Sequence, residues 1–377
     1  VSDSFPRQHA RTQRFTLGSP RNFTVGSDGT EVLFLRSTGP EDPTNALWAI
    51  NTLTGDERVI VDPRKFVDDQ DSELSAAELA RRERARESAG GITTYALNSQ
   101  GSRVTFTLGA EIVVADVDNG SLTSMTSTGA GFDPRLSADG RYVSFVVEDS
   151  LHVALADGSE PARVLLQGDG KTVTWGSAEF VAAEEMRRSR GHWWDPNNDR
   201  LVVARVDVAD VNLWHISAPD DPAKSPQTVR YPAAGTSNAD VELWLVNVHD
   251  ATQIQVTWDR STHPYLVDVR WDDGSPLTVT VQSRDQRSMW VLEVEESSGD
   301  TNPVLALDDP DWVEIVPGTP RKWNGGWLTI EDNGHTRSLL HDGTPLSGPD
   351  QWVRSLVDVD DARLLYTASI DPTIIDL

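Results

Sequence analysis

Two stretches of the chain carry side chains whose type and spacing could do chemistry. One is EFVAAEEMRRSRGHWWDPNNDRLVVARVD, which holds the adjacent acidic pair Glu184 and Glu185. Neighbours on a regular helix point about 100° apart, which disfavours a general acid and base working together. At a helix end or in a distorted turn, both carboxylates can converge on one cation. A protonated amine, with three donors, suits two carboxylates, and without it like-charge repulsion raises the pKa of one of them. The plainer reading of such a pair is a solvent-facing one. The other stretch, DDQDSELSAAELARRERARESAGGI, concentrates Arg81, Arg82, Arg84 and Arg86 in a chain with only four lysines. It is either a self-neutralising solvated helix face or a helix from which one arginine reaches a carboxylate or carbonyl.

The other chemistries are poorly represented. Zero cysteines remove disulfides, thiolate metal sites and cysteine nucleophiles together. The eight histidines show no H-x-x-x-H spacing, and His192 beside Trp193 and Trp194 reads as packing. There is no P-loop, dinucleotide fingerprint or EF-hand loop. The nearest approach to a nucleophile elbow, Gly235-Thr-Ser-Asn-Ala, lacks its final glycine. No metal, cofactor or catalytic residue is therefore expected.

The elements that must position these residues are mostly strands. A turn followed by alternating apolar residues recurs as SDGTEVLFLRS, SQGSRVTFTLG, SADGRYVSFVVE, NNDRLVVARVD, DDGSPLTVTVQ and VDDARLLYTAS. Second strands follow several of these, so each unit is an antiparallel meander. Gly101 and Gly140 lie 39 residues apart, near the length of a four-stranded propeller blade. With a further unit around WVEIVPGTP and GGWLTIEDNG, the repeats predict an all-β propeller with seven blade starts, the last incomplete. Longer intervals hold insertions. The arginine stretch is expected to be helical near residues 72–89, with Ser75 and Glu78 as a capping box, Glu78 and Arg82 paired, and Gly90 and Gly91 stopping the helix. A Pro-rich insertion, NLWHISAPDDPAKSPQTVRYP, follows Asp210.

Charge limits the partners. The 377 residues carry 33 Lys and Arg against 59 Asp and Glu, a formal charge of 33 − 59 = −26, which disfavours nucleic acid and anionic membrane surfaces. No run approaches the roughly 18 apolar residues of a spanning helix, and a cytoplasmic setting is expected.

Several separated segments together resemble the N-terminal propeller of the dipeptidyl peptidase IV family of serine exopeptidases, in its bacterial branch. They are LSAAELARRERARESAGGITTY, EEMRRSRGHWWDPNNDRLVVARVDVADV, RYPAAGTSNADVELWLVNV, LTVTVQSRDQRSMWVLEV and WVEIVPGTP. The likeness makes residues 1–22 an N-terminal extension and 23–377 the propeller. It implies an eight-bladed propeller capping an α/β-hydrolase domain that carries the Ser, Asp and His triad and is not in this sequence. The resemblance implies that Glu184 and Glu185 hold the protonated N-terminus of a peptide substrate. It implies that Arg86 contacts a substrate carbonyl, with Arg84 and Arg82 the alternatives in the same run. The implied reaction is release of N-terminal X-Pro or X-Ala dipeptides, in which this chain alone is inactive. The insertion after Asp210 would be a homodimer arm. The competing reading is a free-standing, non-catalytic propeller that binds a protein or peptide.

Overall fold

The computed structural model describes residues 3–66, 74–125, 129–221, 223 and 225–373. The chain is a β-propeller built from repeated four-stranded antiparallel meanders. Blade 1 comprises Arg21–Val25, Glu31–Ser37, Thr44–Asn51 and Glu57–Val61; blade 2 comprises Ala96–Leu97, Arg103–Leu108, Glu111–Asp116 and Leu122–Met125. Blade 3 runs through Gly131–Leu136, Tyr142–Val147, Ser150–Leu155 and Arg163–Leu166. In blade 4 both Val173–Trp175 and His192–Trp194 pair with Arg200–Asp207, which is followed by Asp240–Asn247 and Gln253–Val256. Blade 5 comprises Tyr265–Arg270, Thr278–Gln282, Ser288–Val294 and Thr301–Asp308; blade 6 comprises Arg321–Trp323, Gly326–Asp332, Arg337–His341 and Thr344–Pro345.

The chain divides into two compact units, Val1–Thr257 with Ser297–Gly299, and Trp258–Glu296 with Asp300–Leu377. Blades 1 to 4 belong to the first. There, adjacent blades stack through complementary faces. Leu35 and Leu47 meet Val104 and Phe106, Ile112 and Val114 meet Val143 and Phe145, and Val146 and Leu151 meet Leu201 and Val203. Blades 2 and 3 thus bury both faces, so their central strands are covered almost continuously, threonines included. Thr105, fully buried, satisfies its hydroxyl by donating to the Val113 carbonyl at 2.9 Å.

Among the described residues six blades form rather than the seven that the repeats predict. The last start, VDDARLLYTAS, supplies Leu364–Ser369, which pairs with the preceding Trp352–Val359 as a hairpin. That hairpin joins blade 6 through a single parallel pair, Arg337 with Trp352, and its Val353 and Leu356 share a core with Leu328, Ile330 and Leu339. A lone hairpin buries too little to stand by itself, so it shares the hydrophobic cluster of the sheet before it.

Among the described residues three short α-helices punctuate the first unit: α1 (Phe5–Arg11), α2 (Ala76–Arg84) and α3 (Phe180–Glu185). Helix α2 is shorter than the 72–89 expected, and residues 72 and 73 lie outside the described residues. Ser75 caps it, its hydroxyl accepting from the Glu78 amide at 3.1 Å. The stop is not the glycine pair. Arg86 takes the left-handed conformation at φ 51°, and the Arg86 and Glu87 amides donate to the Glu83 and Arg82 carbonyls, a Schellman closure without glycine. Gly90–Gly91 instead pairs in parallel with Thr44 and Asn45 of blade 1. A β-carbon at Gly91 would sit 2.5 Å from the Asn45 carbonyl oxygen, so glycine is required there for close approach.

Candidate functional site

Helix α3 is carried on an excursion from within one strand. Trp175 pairs with Arg205 and His192 with Val203, and the skipped Ala204 donates its amide to the Gly191 carbonyl and accepts from the Gly176 amide. The ladder therefore continues while 16 residues, Gly176 to Gly191, leave and return. Their neck is pinched. A β-carbon on Gly191 would lie 2.5 Å from backbone atoms of Gly176 and Ser177, and Ser177 bridges Arg190 across the base.

On this excursion the N-cap of α3 is a buried carboxylate, Glu179, which accepts from the Val181 and Ala182 amides, the latter at 2.7 Å. Burial raises its pKa against the opposing pull of Arg188 and of those amides. Ala182 is fully buried, anchoring the helix. Glu184 and Glu185 occupy its last two positions, both exposed, so the acidic pair sits at a helix end. Negative side chains there face the negative end of the helix dipole, a local field suited to a cation.

Helix α2 meets α3 through one ion pair. Arg84 Nε lies 2.6 Å from Glu184 Oε1, and the Arg84 guanidinium stands 5.4 Å from the centroid of the Phe180 ring. Phe180 packs edge-on against Tyr231, which in turn meets Trp214 at the base of the hairpin Leu213–Ile216 and Gln227–Arg230. Arg81 and Arg82 are committed elsewhere, at 2.6 and 2.8 Å from Glu78 Oε1. Glu78 is buried; burial pushes its carboxyl up, but both guanidiniums outweigh that and hold it below the usual range. Arg86 is exposed and pairs with neither glutamate among the described residues. The structure thus brings together Glu184 and Arg84, keeps Glu185 alongside, and leaves Arg86 apart.

Between α2, the strand Gly131–Leu136 and the α3 excursion lies a cavity of about 360 Å³, with Arg84 and Glu184 on its wall. Asp133 on that strand has a left-handed backbone, φ 48°, and is ion-paired to Arg135. Burial works against its ionisation, yet the charges of Arg135 and Arg190, joined by His192 once its ring protonates in acid, keep its pKa lowered. His192, fully buried, packs as expected from its sequence setting; burial lowers its pKa to about 4. Its Nδ1 lies 3.0 Å from the Gly176 carbonyl, so Nδ1 carries the proton of a neutral ring.

Sequence reasoning missed Glu179, because glutamate is not a favoured N-cap residue, and Arg187, which lines the cavity two residues after the acidic pair. The surplus of arginine in MRRSR was the available signal. Among the described residues no three His, Asp or Glu side chains are grouped to hold a metal ion.

A propeller with an acidic-ended helix lifted out of one blade, facing an arginine helix from another insertion, defines the class of the protein. The profile of the dipeptidyl peptidase IV N-terminal region matches residues 92–335. The chain belongs to that family. Dipeptidyl aminopeptidase B of Saccharomyces cerevisiae is 24% identical over 196 residues, 51% of this chain and 23% of that protein. The inactive dipeptidyl peptidase 10 of Rattus norvegicus is 22% identical over 182 residues, 46% of this chain and 23% of its own length. The crystal structure of Porphyromonas gingivalis dipeptidyl peptidase 4 superposes with a TM-score of 0.73 at 19% identity, over 98% of this chain and 52% of that one. This chain therefore spans about a quarter of these relatives' sequences and about half of that structure.

Proposed function

We propose that the chain is the substrate-orienting propeller of a serine dipeptidyl peptidase, anchoring a peptide by its protonated N-terminus. The observation that carries this reading is the Arg84–Glu184 ion pair at the end of α3. It engages Glu184 Oε1 and leaves Glu184 Oε2 and both oxygens of Glu185 without a hydrogen-bond donor among the described residues. Three acceptor oxygens at one helix end suit the three N–H bonds of an ammonium group. Holding the amine sets which peptide bond meets a nucleophile, and that positioning turns binding energy into rate. The nucleophile would belong to a hydrolase domain of the same polypeptide, releasing X-Pro or X-Ala dipeptides. For the substrate carbonyl, Arg84 is favoured over Arg86 by its contact with the acidic pair. The exposed Leu213, Trp214 and Ile216 of the hairpin suit contact with a second copy.

The test is binding of Ala-Pro-Ala and its N-acetylated form to the 377-residue chain by calorimetry. Acetylation is expected to weaken binding at least tenfold, since hydrogen bonds to charged groups contribute about 1.5–3 kcal/mol each. Glu185→Ala should bring the free peptide to the level of the acetylated one. Equal binding of both peptides, or an unchanged Glu185→Ala, rejects the reading.

A further inference from the structure

The cavity beside Glu184 is lined by four arginines and three carboxylates. Three arginines are neutralised locally: Arg81 by Glu78, Arg84 by Glu184 and Arg135 by Asp133. The fourth, Arg187, has no ion pair among the described residues and is exposed. Its backbone is left-handed, φ 55°, which turns the chain out of α3 two residues after Glu185. In a chain of net charge −26, this leaves a positive charge without an ion pair among the described residues at the rim of a cavity next to the proposed amine-anchoring helix end.

We propose that Arg187 makes this site select peptides whose first residue carries a carboxylate, so that the anchored amine and an acidic side chain are read together. The inference rests on the amine-anchoring reading of Glu184 and Glu185. A peptide's first side chain leaves the same α-carbon that bears the amine, so fixing the amine at the end of α3 leaves that side chain close to α3's exit. Arg187 lies two positions after Glu185, at most about 7 Å between α-carbons. A cavity of about 360 Å³ accommodates a glutamate side chain. Phe132, Ala183 and Ala85 in its lining offer apolar contact to the methylenes while the guanidinium takes the carboxylate. A lysine in the same place would meet Arg187 as a like charge, and an alanine would leave it in water.

The decisive measurement is binding of C-terminally amidated Glu-Pro-Ala, Ala-Pro-Ala and Lys-Pro-Ala to the 377-residue chain at about 0.15 M salt. At that ionic strength the Debye length of about 8 Å suppresses the overall negative field but not a contact pair. Glu-first peptide is expected to bind about two- to fivefold more tightly than Ala-first, the range for a partly exposed ion pair, with Lys-first weakest. Arg187→Gln should erase the order and Arg187→Glu invert it. Both variants keep a β-carbon at the left-handed position, so backbone strain is unchanged, and matched thermal melts verify folding. An order that survives Arg187→Glu overturns the proposal. So does unamidated Ala-Pro-Ala binding as tightly as amidated Glu-Pro-Ala, which would show that the C-terminal carboxylate is what the arginine holds. N-acetylation of the three peptides separates the two layers. If it weakens all three while Arg187 variants change nothing, only the selectivity fails; if it changes none, the amine anchor itself fails, and this inference with it.

Discussion

His192 offers the sharpest quantitative test of how the floor beneath the acidic helix is held. Its ring is buried and neutral, with a pKa of about 4 against an ordinary value near 6.5. Because the folded value is the lower one, the stability associated with the neutral ring is complete above pH 6.5 and is lost as the pH falls towards 4. A gap of about 2.5 units at about 1.4 kcal/mol per unit corresponds to about 3.5 kcal/mol, of which about 2.5 kcal/mol is lost by pH 4.5. Asp133, its charged neighbour, is shifted the other way from carboxylate titration in this window: its pKa lies below 3.8, so its share is lost only at more acid pH. Glu179 and Asp195, raised by burial, gain rather than lose as the pH falls, and His152 and His263, lowered by burial, add losses of their own. All four are common to wild type and His192→Gln, so the difference between the two proteins isolates one ring. Urea unfolding followed by tryptophan fluorescence at pH 7.5 and 4.5 is the assay, read on the transition that the substitution shifts at pH 7.5. Wild type should lose about 2–3 kcal/mol more than His192→Gln between those pH values. Parallel losses within about 0.5 kcal/mol would show that the ring is not held neutral by burial, and would refute the reasoning.

Other substitutions probe the parts separately. Gly191→Ala forces a β-carbon against the Gly176 and Ser177 backbone, and should cost about 1–3 kcal/mol in chemical denaturation and abolish peptide binding by opening the neck. Glu179→Ala removes the α3 cap, with an expected cost of about 0.5–2 kcal/mol and weaker binding of free-amine peptide, whereas N-acetylated peptide should be unaffected. Arg86→Gly relieves a left-handed arginine and should raise stability by about 0.5–1 kcal/mol in thermal or urea unfolding. If peptide affinity survives Arg86→Gly but falls severalfold in Arg84→Ala, measured by calorimetry, then Arg84 is the arginine that serves the substrate.

Much of the architecture was legible because turn chemistry and period-two alternation survive in every blade. The repeats located all six blades, and the Ser75 cap and the Glu78–Arg82 pair of α2 appear as the spacing indicated, whereas the Glu78 carboxylate turns to Arg81 and Arg82 instead of closing the capping box on the Ser75 amide. The blade count was over-read at VDDARLLYTAS, since a local strand signal cannot report whether a strand finds a full sheet or a single partner hairpin. The helix stop was misplaced for a related reason. Gly90 and Gly91 look like a terminator, but their requirement is tertiary, a close approach to Thr44 and Asn45, while an arginine takes the left-handed position. At the site, the identities of Glu184 and Glu185 stood out, but their placement depended on an excursion within a strand that no local pattern marks. Which of four arginines faces them was set by helix phase: Arg81 and Arg82 turn towards Glu78, and Arg84 towards α3.

The ring contacts running from Phe180 through Tyr231 to Trp214 have a bearing on local unfolding. Opening the hairpin at Leu213–Ile216 strips Tyr231 of one ring neighbour, and fraying α3 strips it of the other, so each event weakens what restrains the second. Two segments far apart along the chain should therefore open as one cooperative unit, with amide exchange at Val181 and Ala182 slowing whenever the hairpin is clamped, whether by a second copy or by an antibody.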